Sequence, residues 1–106
     1  MLTYGFATLQ TKKSGIDLRC TEADVIKSVA DLVAGLLPSS KAAIHNDPIT
    51  GAPMSCRLKK LSGHDLAVGD QVLKHLCQLG WEPFQVDQLE DSYQVHFRRA
   101  IERPDA

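Results

Sequence analysis

Lys12-Lys13-Ser14-Gly15-Ile16-Asp17-Leu18 precedes one helix-forming run, and Lys59-Lys60-Leu61-Ser62-Gly63-His64-Asp65-Leu66 precedes another. Read as an internal repeat, the match continues downstream. Val25-Ile26-Lys27-Ser28-Val29-Ala30-Asp31-Leu32 lines up with Val72-Leu73-Lys74-His75-Leu76-Cys77-Gln78-Leu79 once a single residue is deleted. Each unit would be a strand, a Ser-Gly-x-Asp-Leu turn, a helix and a strand, over residues 3–46 and 54–101. Two such units predict an α+β two-layer sandwich, ferredoxin-like βαββαβ with an extra C-terminal strand. Both helices would lie on one face of a mixed or antiparallel sheet, leaving the other face open. Chance likeness between two Ser-Gly turns and two Val/Leu/Lys helices accounts for the match equally well.

The elements around this frame follow from hydrophobic period. Thr3 to Thr11 reads as a strand, with Leu2, Tyr4 and Phe6 on one face and Ala7 and Leu9 on the other. Thr21 reads as an N-cap, with Glu22 and Asp24 in the positive first turn. Val25, Ile26, Val29, Leu32, Val33 and Leu36 then recur at helical spacing until Gly35 and Pro38 end the run. Ala42 to His45 predicts a short strand and residues 46–53 a turn-rich connection. Met54, Cys56 and Leu58 alternate as a strand with one wet face. Asp65 to Leu79 predicts a second helix capped by a left-handed Gly80, with Trp81 packing back on it. Phe84 and Val86, then Tyr93, Val95 and Phe97, predict a hairpin whose apolar faces pack on the helices.

The chain of 106 residues carries 12 Lys plus Arg against 13 Asp plus Glu, a formal charge of −1. This length suits one domain, 1–106, and leaves too little chain for two. The balance excludes nucleic-acid binding driven by bulk charge. No apolar run approaches the ~20 residues that span a bilayer, and residues 1–6 do not read as a signal peptide. Cys20, Cys56 and Cys77 are odd in number and irregularly spaced, which favours free thiols and a reducing compartment, cytoplasm or nucleus.

No motif selects a reaction. The Ser-Gly-x-Asp-Leu turns lack the glycine spacing of a phosphate loop, and their aspartates oppose an anion. His75 and Cys77 point to opposite sides of a helix, so no metal or other cofactor is expected. If Tyr4 and Phe6 pack on the helices, Gly5, Ala7 and Leu9 are left on the open face, where a partner would cover them. The expected function is a non-catalytic protein-interaction module, a homodimer or a small subunit of a larger assembly. One alternative is binding of phosphate ligands or RNA by Lys12, Lys13, Arg57, Lys59, Lys60, His96 and Arg98. It would need exposed aromatics, which Tyr4 and Phe6 supply only if the first strand faces the other way. The other is a small enzyme using Cys20, placed near a helix N-terminus.

Gly80-Trp81-Glu82-Pro83-Phe84 closes a helix, and two strands follow, ending in Phe97-Arg98-Arg99 and Pro104. On these positions residues 72–104 resemble the close of several small uncharacterised bacterial domains and a stretch of the raftlin family. The resemblance implies a helix–strand–strand ending and no function.

Overall fold

The structure, a computed structural model, describes residues 2–12, 15–36, 42–59 and 67–102. The element order is β1 (Leu2–Lys12), β2 (Gly15–Cys20), α1 (Ala23–Leu36), β3 (Ala43–Asn46), β4 (Pro53–Lys59), α2 (Ala67–Gln78), β5 (Glu82–Gln88) and β6 (Ser92–Glu102). All strands join one antiparallel six-stranded sheet in the order β3-β4-β2-β1-β6-β5. The expected α+β class, with two helices beside an antiparallel sheet, is what the chain forms.

The sheet is larger than a four-stranded βαββαβ. The run β2-α1-β3-β4-α2-β5 has that element order, and β4 lies between β2 and β3 as in a split βαβ unit. The additional strands are β1 and β6, paired in register from Leu2↔Glu102 to Lys12↔Ser92 and inserted between β2 and β5. The expectation of a single extra strand at the C-terminus therefore misses one at the N-terminus. Its cause is the Gly15-Ile16-Asp17-Leu18 segment, which forms β2 rather than a connection into the helix. The second copy of that motif, at residues 62–66, lies outside the described residues.

The two helical runs that line up in the sequence form α1 and α2. Val25 and Val29 of α1 are buried, as are their counterparts Val72 and Leu76 of α2. Ser28 and His75, also counterparts, meet where the helices touch, with Ser28 Oγ 2.7 Å from His75 Nε2.

Alternation decides the face. Ala7 and Leu9 of β1, Ile16, Leu18 and Cys20 of β2, Cys56 and Leu58 of β4, and Val95 and Phe97 of β6 share one core with both helices. Leu9 sits between Leu18 and Val95 in register, so its two neighbours commit it to the helix side. The expectation that Gly5, Ala7 and Leu9 face outward is thus reversed: they lie under the helical layer, and Tyr4 and Phe6 face solvent. Gly5 is required where it is. A Cβ there would stand 2.6 Å from Ile101 Cδ1 and 2.9 Å from Trp81 Cη2.

Both helix ends are set locally. Gly80 has φ of 91°, its N–H donates to Cys77 O, and Trp81 N–H donates to Leu76 O. This pair of bonds is a Schellman ending, and buried Trp81 and Leu76 are its apolar partners. The start of α1 differs from expectation. Thr21 N–H donates to Phe6 O, and the Thr21 hydroxyl accepts from Phe6 N–H and donates to Glu22 Oε2. Thr21 therefore extends the β1–β2 pairing instead of capping the helix. Its position next to a free strand end gives the hydroxyl a better-placed amide than the helix offers.

Candidate functional site

The face of the sheet away from the helices is organised in rows. Reading across the strands at one height, Arg57, Asp17, Gln10, Gln94 and Asp87 form one row. Ser55, Arg19, Thr8, His96 and Gln85 form the next, and Phe6, Arg98 and Glu82 the one after. Polar groups thus occupy the middle of the face and aromatic groups one end.

The aromatic end is contiguous. Tyr4 is 55% exposed, Phe6 50% and Phe84 45%. Ring centroids are 6.5 Å apart from Tyr4 to Phe6 and 6.5 Å from Phe6 to Phe84, and Phe84 is 6.3 Å from the His96 ring. The Arg98 guanidinium carbon lies 5.5 Å from the Phe84 ring centre, within cation–π reach. Phe84 reaches this face because the β5–β6 register shifts between Pro83 and Gln85. A bulge of this kind turns Phe84 to the same side as Gln85 and Asp87. The expected packing of Phe84 on the helices is corrected accordingly, and Val86 is left largely exposed.

Arg57, Arg98 and the His96 ring each meet a carboxylate of the same face. Arg57 Nη2 is 3.1 Å from Asp17 Oδ2, Arg98 Nε is 3.5 Å from Glu82 Oε2, and His96 Nε2 is 2.8 Å from Asp87 Oδ2. Of the residues expected to read phosphate, Arg57, His96 and Arg98 do project from this face, and Lys12 lies at the end of β1 in the same phase. Lys59 stands opposite Gly15 at the end of β4, while Lys13 and Lys60 lie outside the described residues. Arg19 is a further cation of the face that the expected set omits, although Ile16, Leu18 and Cys20 alternate with Asp17 and Arg19 as strand residues do. It has no carboxylate partner among the described residues.

His96 is oriented from both ring nitrogens. Nε2 lies 2.8 Å from Asp87 Oδ2 and Nδ1 lies 3.1 Å from the Thr8 hydroxyl. Gln85 Nε2 donates to the other Asp87 oxygen at 2.8 Å. A hydroxyl, an imidazole and a carboxylate in series is the arrangement that activates nucleophiles. Catalysis also needs donors for a developing oxyanion. Thr8 is in a central strand, with β2 and β6 on either side, so the amides around it belong to the two ladders. The bonds fix the His96 ring between Thr8 and Asp87 beside the aromatic end.

Asp87 is held below its ordinary value of 3.8, first by the Gln85 amide and then by the His96 bond. A carboxylate with a depressed folded value contributes stability above its unfolded value and loses it as pH falls through the folded one. An NMR titration should therefore place the Asp87 midpoint below 3.8, and Gln85→Ala should move it upward. A midpoint at or above 3.8 would remove Asp87 as the group that fixes His96.

Burial sets two of the three thiols apart. Cys20 is pushed up to about 11 by burial, with Glu22 and Asp24 adding repulsion, and Cys56 is likewise pushed up to about 11 by burial. Cys20 is thus a core residue whose burial disfavours the thiolate that a nucleophile needs. Cys77 is the exposed thiol. Limited alkylation followed by mass spectrometry should label Cys77 first, with Cys20 and Cys56 reacting only on unfolding. Early labelling of Cys20 would contradict this packing. Among the described residues no cluster of three His, Cys, Asp or Glu could hold a metal, and no helix is long and apolar enough to cross a membrane.

Two depressions mark the face. One of about 230 Å³ is lined by Thr8, Gln10, Asp17, Arg19, Gln94 and His96. A larger groove of about 550 Å³ at the strand ends runs from Phe6, Thr8 and Arg19 past Ala7, Cys20, Thr21 and Ala23 to Asp47, Thr50, Ala52, Pro53 and Met54.

Comparison with known proteins adds the fold alone. No protein-family model and no curated protein matches the chain. Among solved structures, the chain is similar to a conserved kinetoplastid-specific protein from Trypanosoma cruzi, at 14% identity and a TM-score of 0.61. The match covers 91% of this chain and 95% of that one. At that identity the likeness speaks for a shared architecture and carries no function.

Proposed function

We propose that the chain is a non-catalytic protein-interaction module that binds through the open face of its sheet. The observation that carries this reading is the contiguous exposed aromatic row Tyr4, Phe6 and Phe84, with Arg98 against it. Aromatic residues and arginine are the groups most enriched where protein interfaces concentrate their energy. The available area is also adequate. Six strands spaced by ~4.8 Å, each contributing about seven residues at ~3.4 Å, present roughly 700 Å². A standard interface takes roughly 600–1,000 Å² per partner.

Single-stranded RNA is the second reading, because the aromatic row supplies the stacking platform that nucleic-acid sheets use. The charge pattern supports it less. Lys12, Arg19, Arg57 and Arg98 on this face are matched by Asp17, Glu82, Asp87 and Glu102. A nucleic-acid surface needs an excess of cations for successive phosphates, and this face carries equal numbers of both signs. A neutral face with aromatic anchors suits another protein, including a second copy of this chain. Sedimentation over a range of concentrations, with co-purification from the source cells, tests the reading. Concentration-dependent association or a retained protein partner is expected. A monomer at high concentration with no retained protein would sink it.

A further inference from the structure

We infer that the groove beside Arg19 receives a carboxylate side chain of the partner protein, flanked there by an aromatic or aliphatic side chain of the same segment. The inference rests on the open face being a protein interface and names the chemistry that this face selects.

The groove opens where β2 ends at Cys20 and β4 has begun at Pro53, so the 47–52 turn stands beside the exposed Phe6 ring. Its volume of about 550 Å³, in a groove open to solvent, leaves room for a few side chains. Arg19 lines both this groove and the adjoining smaller depression. Arg57 and Arg98 are each committed to a carboxylate on a neighbouring strand, whereas Arg19 has none among the described residues. Its planar fork of donors is therefore available, in the geometry that matches a carboxylate.

The other polar groups of the groove limit what can bind. The Thr8 hydroxyl is bonded to His96, Thr21 to Phe6 and Glu22, and Thr50 Oγ1 accepts from Ala52 N–H. Asp47 also borders the groove, and its Oδ1 accepts from Ile49 and Thr50 N–H, which fixes the turn. Asp47 repels any anion in the groove, so the one arginine without a carboxylate partner can hold a single negative charge better than two. A phosphate, near two charges at neutral pH, calls for more than one cation. Phe6, Pro53 and Met54 give the same groove an apolar wall. The segment that fits is thus an acidic residue next to an apolar one.

The test uses the whole protein and four probes: N-acetyl-Phe-Glu-amide, N-acetyl-Phe-Gln-amide, N-acetyl-Phe-phosphoserine-amide and a short oligouridine. Nitrogen-15 NMR follows the Arg19 side-chain N–H and the amides of residues 47–54. The Glu peptide should shift these signals saturably, the Gln peptide should bind about fivefold less tightly, as for an exposed ion pair, and Arg19→Gln should abolish the difference. Circular dichroism checks that Arg19→Gln remains folded. Equal binding of the Glu and Gln peptides, or tighter binding of the phosphopeptide or the oligouridine, would overturn the inference. The two readings separate in one comparison. If a co-purified partner binds Arg19→Gln as tightly as the unaltered chain but is lost from Phe6→Ser/Phe84→Ser, the carboxylate site is wrong and the face stands. If neither variant weakens the partner, both are wrong.

Discussion

Trp81→Ala is expected to lower stability by about 3–5 kcal/mol, the cost of emptying a large aromatic site in a core. Trp81 is 2% exposed, follows the Schellman ending of α2, and covers Gly5 on the central strand β1. Its indole Nε1 finds no hydrogen-bond partner among the described residues, so shape rather than polarity holds it. Gly5→Ala adds a methyl where Ile101 Cδ1 and Trp81 Cη2 already stand, and should cost about 1–3 kcal/mol through overpacking. The two effects are coupled. A phenylalanine at position 81 lacks the outer indole ring, so Gly5→Ala should cost less in a Trp81→Phe background than in the unaltered chain. Urea denaturation of the four combinations measures this, and strict additivity would show that Gly5 and Trp81 do not touch. If Trp81→Ala fails to fold, the Trp81→Phe cycle still decides the point.

The second large effect lies in binding and spares the fold. Phe6→Ser together with Phe84→Ser should weaken association through the sheet face by about 1,000-fold, about 30-fold for each ring, since buried aromatic anchors contribute on the order of 2 kcal/mol each. Stability should change by only about 1 kcal/mol, the size of an edge-to-face ring pair such as Phe6 and Phe84 form at their half-exposed positions. The comparison with Trp81→Ala separates the two surfaces of the sheet, one structural and one for recognition. A double variant that unfolds would mean that the aromatic row is part of the core. A folded variant with unchanged association would mean that the row is not an anchor.

The contrast between these two faces is where sequence and structure part. Helical spacing in α1 and α2, the Gly80 cap, the return of Trp81 and the β5–β6 hairpin are all legible in the sequence, because each depends on interactions within a few residues. The orientation of β1 is not. Apolar side chains occur on both of its faces, so the neighbouring strands decide, and one of those neighbours is β2. Ile16, Leu18 and Cys20 alternate with Asp17 and Arg19 as a strand should, yet the Ser14-Gly15 pair and the repeat logic assign them to a connection. Without β2 the apolar row Leu18–Leu9–Val95 is invisible, and the face is read backwards. The same omission hides Arg19. Phe84 is misplaced for a different reason, since a one-residue register shift at Pro83 breaks the period-two pattern that places it. Arg57, His96 and Arg98 lie in the phase that alternation gives them. Their pairing with Asp17, Asp87 and Glu82 needs strand order, which only the folded sheet supplies.

The central claim is that the aromatic end of the open sheet face is where a partner protein sits. A photo-crosslinking residue placed at Phe84 in the full chain tests it most directly, with the same residue at Asp31, exposed on α1, as the control. Irradiation in the source cells should give a discrete protein adduct from position 84, absent from position 31 and suppressed when Phe6→Ser is added. An adduct of nucleic acid alone, or equal adducts from both positions, would contradict the account.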